Sequence, residues 1–153
     1  MTVCVLVPTY DNPRTVRSVV ERARETGLPV LVVDDGSAPE GQEACAALAR
    51  EGLAEVCRRE RNGGKGAAVK TGLALARARG FTHAAQVDAD GQHDLSLLPS
   101  LVEASRARPE ALILGCPVHD ASIPRGRKIA RRFTQLWIDL EVGKGVIEDA
   151  MVG

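Results

Sequence analysis

The stretch VCVLVPTYDNPRTVRSVVERARETG, residues 3–27 of this 153-residue chain, gives the clearest indication of the fold class. It opens with the apolar run Val3 to Val7, which predicts a strand buried on both faces. Asn12 is then predicted as a helix N-cap with Pro13 at the first helical position, and Gly27 ends the helix. Apolar residues recur between them at helical spacing, at Val16, Val19, Val20 and Ala23. The stretch therefore predicts one complete β-α unit.

The same pattern recurs along the rest of the chain. Further strands are predicted at Val30 to Val33, at the weaker run Ala54 to Arg58, at Thr82 to Val87 and at Ala111 to Leu114. Further helices are predicted from about Pro39 to Arg50, from about Gly66 to Arg79 and from about Leu95 to Arg106. This alternation predicts a three-layer α/β/α fold with a mostly parallel sheet. We expect residues 1–153 to form a single domain.

Composition narrows the class of protein. An apolar content of 44% supports a core, and with two Phe, one Tyr and one Trp that core must be aliphatic. Twenty basic and twenty acidic residues cancel, so charge gives no argument for a nucleic-acid partner. The cysteines lack C-x-x-C spacing and lie in or beside apolar stretches, at Cys4, Cys45, Cys57 and Cys116. This predicts reduced, buried thiols in a cytoplasmic protein. No run approaches the roughly 18 apolar residues of a membrane span, so we expect a soluble or peripheral protein.

Polar segments follow four of the predicted strands. In open parallel sheets, ligands bind beyond the carboxyl ends of the strands. The residues at those ends are Pro8-Thr9-Tyr10-Asp11, Asp34-Asp35-Gly36-Ser37, Asn62-Gly63-Gly64-Lys65-Gly66 and Asp88-Ala89-Asp90-Gly91-Gln92-His93. We therefore expect a binding site along this edge of the sheet.

The triplet Asp88-Ala89-Asp90 is the segment most indicative of chemistry. On an extended backbone, side chains two residues apart share a face, so the two carboxylates are expected side by side. Hard cations such as Mg²⁺ and Mn²⁺ prefer oxygen ligands, which makes this a candidate metal site. A solvated strand end or a helix-capping Asp is the alternative. His93 could complete a metal shell, contact a diphosphate or cap the helix that starts near Asp94.

Two other segments point to a nucleotide. Asp34-Asp35-Gly36-Ser37 places a carboxylate where it could accept hydrogen bonds from a nucleobase imide or amide, although an ordinary turn has the same sequence signature. Lys65, among three glycines at a helix start, could face a phosphate or ribose, and a plain flexible loop is the alternative. The segment is not a Walker loop, because Arg59 and Gly66 stand where that motif requires Gly and Ser or Thr.

Taken together and in this order, the four segments resemble family 2 glycosyltransferases, most closely the polyprenyl- or dolichol-phosphate sugar transferase branch. The resemblance covers nearly the whole chain. It implies a Rossmann-like GT-A nucleotide-diphospho-sugar transferase fold and hexosyltransferase activity with inversion at the anomeric carbon. It also implies a UDP- or GDP-sugar donor, a Mg²⁺ or Mn²⁺ cofactor, and a polyprenyl-phosphate or saccharide acceptor. Contact with the inner face of a membrane would follow from a lipid acceptor.

The resemblance assigns roles on the donor side. Pro8 and Tyr10 would line the nucleobase pocket, and Asp35 would bind the base. Lys65 would lie near the nucleoside. Asp88 would contact the ribose or the sugar.

The resemblance also assigns metal and acceptor roles. Asp90 would hold the metal on the diphosphate, and His93 is the further candidate ligand. Asp149 would bind the acceptor or act as general base. If the acceptor is a lipid phosphate, a basic group could engage the acceptor phosphate or anionic lipid heads, at Arg125, Arg127, Lys128, Arg131 and Arg132. A solvated loop and helix face is the alternative for this group.

The sequence departs from the family pattern at two places, and these departures leave more than one function open. Asp11-Asn12 stands where the family usually has Asn-Glu, and the chain ends at Gly153 where relatives continue with Phe-Arg. We therefore expect a C-terminally truncated transferase, with a non-catalytic nucleotide-sugar-binding module as the alternative. A phospho-acceptor receiver domain is a third hypothesis. In that class of domain the acid pair should follow the first strand, whereas here the pair Asp34-Asp35 follows the second.

Overall fold

The computed structural model describes residues 1–115. In chain order its elements are β1 Val3–Thr9, α1 Val16–Arg24, β2 Val30–Asp34, α2 Pro39–Arg50, β3 Glu55–Arg58, α3 Lys65–Ala78, β4 His83–Gln86 and α4 Leu98–Ala107. A short 3-10 helix, Leu95–Leu97, precedes α4. Residues Met1–Ala111 form one compact unit.

All four strands are parallel, in the order β3-β2-β1-β4. The central strand β1 pairs Val7 with Val32 of β2 and Val5 with Ala85 of β4. Every residue of β1 and β2 is buried, which is why Val3 to Val7 and Val30 to Val33 are continuous apolar runs rather than alternating ones. Because the strands run in one direction, their carboxyl ends meet at one edge of the sheet.

Helices cover both faces of the sheet and confirm the three-layer α/β/α prediction. On one face, Val5 and Val7 belong to a core with buried residues of α1, α2 and α4. On the other face, Leu6 and Val33 pack with buried alanines of α3. A Cβ on Gly72 of α3 would overlap the side chain of Leu6, so this glycine permits the close packing of α3 on β1.

The predicted start of α1 is wrong. The helix begins at Val16, and Thr15 rather than Asn12 is its N-cap. The Asn12 side-chain amide N–H instead donates to the Tyr10 carbonyl at 2.9 Å, and the helix has no side-chain cap hydrogen bond. The helix ends at Arg24, three residues before Gly27, where the chain turns with a φ of 74°.

The C-terminal elements differ in two ways from the predictions. The expected strand Ala111 to Leu114 is absent, and Leu112 and Leu114 are 83% and 52% exposed. A four-residue apolar run carries no information about whether a neighbouring strand is available to pair with it. The expected helix from Leu95 is divided into the 3-10 helix and α4, because Pro99 has no N–H to donate to the carbonyl four residues earlier.

Three cysteines are described, and all are free, with Cys4 and Cys45 buried and Cys57 half-buried. Burial is the main cause that raises the pKa of Cys45 to about 11. Cys116 lies outside the described residues. Within residues 1–115, no helix is both long and apolar enough to cross a membrane.

Candidate functional site

The four polar segments converge on one cleft of about 360 Å³ at the carboxyl edge of the sheet. Six predicted site residues line it, namely Pro8, Tyr10, Asp35, Lys65, Asp88 and Asp90. Tyr10 is 48% exposed. The parallel sheet thus brings together residues that are separated by up to 82 positions in the chain, from position 8 to position 90.

The loop after β1 is held by Asp11. Asp11 is the sole non-glycine residue with a positive φ, 52°, in the part of the chain that the structure describes. Its Oδ1 accepts from the Ala38 N–H at 2.8 Å, and its own N–H donates to Ser37 Oγ at 3.0 Å. Asp is among the few residues that adopt this conformation without great cost. Asp11 therefore ties the β1 loop, which carries Tyr10, to the turn after β2 and the start of α2.

The two acids after β2 have separate environments. Asp34 is buried, and its Oδ1 accepts from the Ser37 N–H at 2.9 Å, closing the turn. Arg58 Nη1 lies 3.7 Å from its other oxygen. Asp35 instead lines the cleft, where it pairs with Arg59 and accepts from the Gly63 N–H at 3.2 Å. The ordinary-turn alternative thus describes Asp34, whereas Asp35 is the acid that lines the cleft.

Lys65 joins two of the segments across the cleft. It is the first residue of α3, and Gly64 before it has a φ of 84°. Its Nζ donates to Asp88 Oδ2 at 2.8 Å, with the Lys65 side chain half exposed. The glycine-rich segment is therefore connected to the acidic triplet by a solvent-accessible ion pair, which an anionic ligand could compete for.

The acidic triplet is a turn rather than a continuation of β4, so the expected extended backbone is wrong. The strand ends at Gln86, Ala89 is buried, and Asp88 and Asp90 both line the cleft. Thr15 Oγ1 donates to the Ala89 carbonyl at 2.6 Å and fixes the turn to the start of α1. Both carboxylates still reach one site, but they do so through a turn that this hydrogen bond holds.

His93 lies against Asp88. The Asp88 N–H donates to His93 Nδ1 at 3.3 Å, and His93 Nε2 is 3.7 Å from Asp88 Oδ2. An Nδ1 that accepts a hydrogen bond leaves the ring proton of a neutral imidazole on Nε2. The ring is thus oriented by the backbone of the triplet.

The carboxylates at the cleft fit a metal ion that is also bound by the phosphates of a ligand. Within residues 1–115, no three His, Cys, Asp or Glu side chains are grouped so that they alone could hold a metal ion. Asp88 and Asp90 supply carboxylates at the cleft, and Asp90 Oδ1 accepts from the Gln92 N–H at 2.9 Å. Mg²⁺ is commonly held by one or two carboxylates together with substrate phosphates. These residues therefore fit a cation that arrives with a diphosphate.

The predicted acceptor residues lie outside the described part of the chain. They are Arg125, Arg127, Lys128 and Asp149, together with Arg131 and Arg132. Conversely, the sequence reasoning assigned no role to Arg59, Thr15 or Asp11, which fix the cleft residues in place. Arg59 follows β3 directly, so the strand-end rule was the signal that could have identified it.

The comparisons with known proteins establish the family. The model of Glycosyl transferase family 2 matches residues 4–146, and the chain belongs to that family. Membership excludes the receiver-domain alternative. Polyprenol monophosphomannose synthase of Mycolicibacterium smegmatis is 34% identical over 114 residues, 71% of this chain and 43% of that protein. Undecaprenyl-phosphate mannosyltransferase of Micrococcus luteus is 31% identical over 134 residues, 84% of this chain and 52% of that protein. The chain thus spans about half the length of each of these relatives.

Solved structures share the fold. Staphylococcus aureus TarS 1-349 in complex with UDP-GlcNAc matches with a TM-score of 0.58 at 22% identity, over 82% of this chain and 37% of that one. Mannosyltransferase PcManGT from Pyrobaculum calidifontis, in complex with GDP-Man and Mn²⁺, matches with a TM-score of 0.55 at 24% identity, over 67% of this chain and 32% of that one. The expected GT-A fold is confirmed.

Proposed function

We propose that this protein transfers a hexose, with inversion, from a nucleoside diphosphate sugar to a polyprenyl phosphate, in the presence of Mg²⁺ or Mn²⁺. The observation that carries the proposal is the convergence of four strand-end segments on one cleft with three acids and a lysine. The M. smegmatis relative is named a polyprenol monophosphomannose synthase and the M. luteus relative an undecaprenyl-phosphate mannosyltransferase, and these names support a polyprenyl-phosphate acceptor and mannose as the sugar.

The cleft residues divide the donor among them in this proposal. Pro8 and Tyr10 line the base, and the Asp35 carboxylate accepts from a ring N–H of the base. Asp88 accepts from hydroxyls of the ribose or sugar. Lys65, which pairs with Asp88 at 2.8 Å, is close enough to that residue to contact the nucleoside as well.

The metal role falls to Asp90, with His93 as the further candidate. A bound Mg²⁺ or Mn²⁺ would stabilise the negative charge that develops on the departing nucleoside diphosphate. Asp90 has an exposed side chain at the cleft, as a ligand that meets a substrate-borne cation requires. The Mn²⁺ in the PcManGT complex supports this choice of cation.

The acceptor determines whether a general base is needed. A polyprenyl phosphate is anionic at neutral pH and can attack the anomeric carbon without losing a proton first. A hydroxyl acceptor needs a base, and Asp149 is the candidate. Arg125, Arg127 and Lys128 would pair with an acceptor phosphate. With a lipid acceptor, the protein would act in the cytoplasm at the inner face of a membrane.

A thermal-shift panel tests the donor side. UDP- and GDP-sugars are added with and without Mn²⁺ to the wild-type protein, to Asp90→Ala and to Glu103→Ala. Glu103 is an exposed acid on α4 that pairs with Arg106, away from the cleft, and it serves as the matched control. We expect a nucleotide sugar to raise the melting temperature, and only Asp90→Ala to lose the part that depends on Mn²⁺. No shift with any nucleotide sugar would refute the proposal.

A nucleotide-sugar-binding module without transfer is the second candidate. The observation in its favour is that the described cleft already brings together every residue predicted to bind the nucleotide sugar, namely Pro8, Tyr10, Asp35, Lys65 and Asp88. Donor binding with neither transfer nor donor hydrolysis would support this candidate. Transfer to any acceptor would exclude it.

A further inference from the structure

Arg59 holds the cleft acid Asp35 from behind. Its backbone N–H donates to the Asp34 carbonyl at 2.8 Å, which extends the β2-β3 pairing by one residue. Its guanidinium pairs with the Asp35 carboxylate, and the two side chains are 25% and 3% exposed. Among the described residues that line the cleft, Asp35 is present and Arg59 is not. Asp35 therefore has the ligand space on one side and a fixed cation on the other.

The Asp35 carboxylate also holds the loop of residues 59–64, which leads to Lys65. The Gly63 N–H lies 3.2 Å from each Asp35 oxygen. A Cβ on Gly63 would lie 2.6 Å from Arg59 Nη1, so a glycine is needed for the guanidinium to fit there. A Cβ on Gly36 would lie 2.7 Å from the backbone of Asn62, so the loop also packs closely on the turn after β2. The loop that leads to Lys65 is thus closed around Asp35.

Loss of the guanidinium would disturb both arrangements together. A buried carboxylate without its positive partner is costly, and the side chain is expected to turn toward water. Because Gly63 donates to that carboxylate, the loop would lose its contact as well. The carboxylate would then no longer face the cleft in a fixed orientation.

We propose that Arg59 is a positioning residue that sets the base preference of the donor site. This inference rests on the proposed function. Held by Arg59, the Asp35 carboxylate accepts hydrogen bonds and offers none. Guanine and uracil present a ring N–H to such a group, whereas adenine and cytosine present a ring nitrogen lone pair at the corresponding edge. The pair thus favours guanine or uracil nucleotides, and the preference depends on Arg59 without any contact between Arg59 and the base.

Calorimetric titration with GDP, UDP, ADP and CDP in Mn²⁺ tests this inference. The variants are Arg59→Met, which keeps the apolar stem, Arg59→Lys, which keeps the charge, and the control Arg58→Met. Arg58 is the preceding residue and also pairs with a buried acid, but that acid is Asp34. The ratio of affinities between bases is measured within each protein, so a general loss of stability does not move it.

We expect the wild type to bind GDP or UDP at least about tenfold more tightly than ADP and CDP, as one charged hydrogen bond allows. Arg59→Met should lose most of that ratio, Arg59→Lys should be intermediate, and Arg58→Met should keep it. A wild-type ratio in folded Arg59→Met would overturn the inference. If Arg59→Met does not fold, wild-type affinity and ratio in Arg59→Lys would overturn it.

The inference and the proposed function fail in different ways. A wild type that binds all four nucleotides equally overturns the inference and leaves a nucleotide site standing. A wild type that binds none of them overturns both.

Discussion

Asp11 shows how a single residue shapes the cleft. A carboxylate at the start of α2 satisfies the Ala38 N–H, one of the donors that a helix start leaves free, and it complements the positive end of the helix. The backbone of Asp11 is left-handed, with a φ of 52°. Substitution by Ala removes both properties, and substitution by Asn keeps both.

Asp11→Ala should lower the free energy of unfolding by about 1 to 2 kcal/mol, because it loses the helix contact and strains the left-handed backbone. Asp11→Asn should cost well under half of that, since Asn tolerates this φ and keeps a side-chain oxygen. Urea denaturation of the three proteins measures the difference. Equal stability of Asp11→Ala and the wild type would show that the contact with Ala38 contributes nothing.

Asp88 and Asp90 lead to a prediction about metal affinity. Since residues 1–115 offer no group of three ligating side chains, Mn²⁺ alone should bind weakly. A nucleoside diphosphate supplies further oxygen ligands, so Mn²⁺ affinity should rise at least about tenfold with UDP or GDP present. Titration followed by Mn²⁺ electron paramagnetic resonance measures both values. Tight binding of Mn²⁺ without nucleotide would contradict the shared-metal arrangement.

Elements were predictable from sequence where burial is continuous. The apolar runs located β1 and β2 closely. Apolar spacing and the residues at the helix ends located α2, because both signals act locally. Ala111 to Leu114 has the same local pattern but forms no strand. The turn at Ala89 was also missed, since it depends on a hydrogen bond from Thr15, 74 residues away in the chain.

Helix α3 provides a prediction about the packing of a helix on the sheet. Gly72→Ala would gain about 1 kcal/mol in helix propensity, but its Cβ would overlap Leu6, and overpacking costs typically 1 to 3 kcal/mol. We expect a net loss of stability in chemical denaturation. Gly66→Ala in the first turn of α3 is the control, because nothing lies within 4 Å of its Cβ, and it should be neutral or stabilising. The reverse order of the two variants would contradict the packing of α3 on β1.

For the molecule as a whole, the sequence was enough to place the site at one edge of the sheet. It was not enough to identify which side chains pair with one another inside the site. Strand-end positions are enough to place Tyr10, Asp35, Lys65 and Asp88 at one edge, because a parallel sheet aligns its carboxyl ends. The pairing of Asp35 with Arg59 could not be derived, since it depends on side-chain directions at the end of β3. Composition gave no argument for a nucleic-acid partner, because the basic and acidic residues cancel.

Transfer of a labelled sugar to a polyprenyl phosphate is the most direct test of the proposed transferase activity. GDP-[³H]mannose, Mn²⁺ and a polyprenyl phosphate are incubated with the protein, and label extracted into organic solvent is counted; UDP-sugars are run in parallel. We expect label from a donor to reach the lipid phase with the wild type and with Glu103→Ala, and we expect Asp90→Ala to lower the rate at least about 100-fold. No label in the lipid phase with any donor, from a protein shown to be folded, would contradict it.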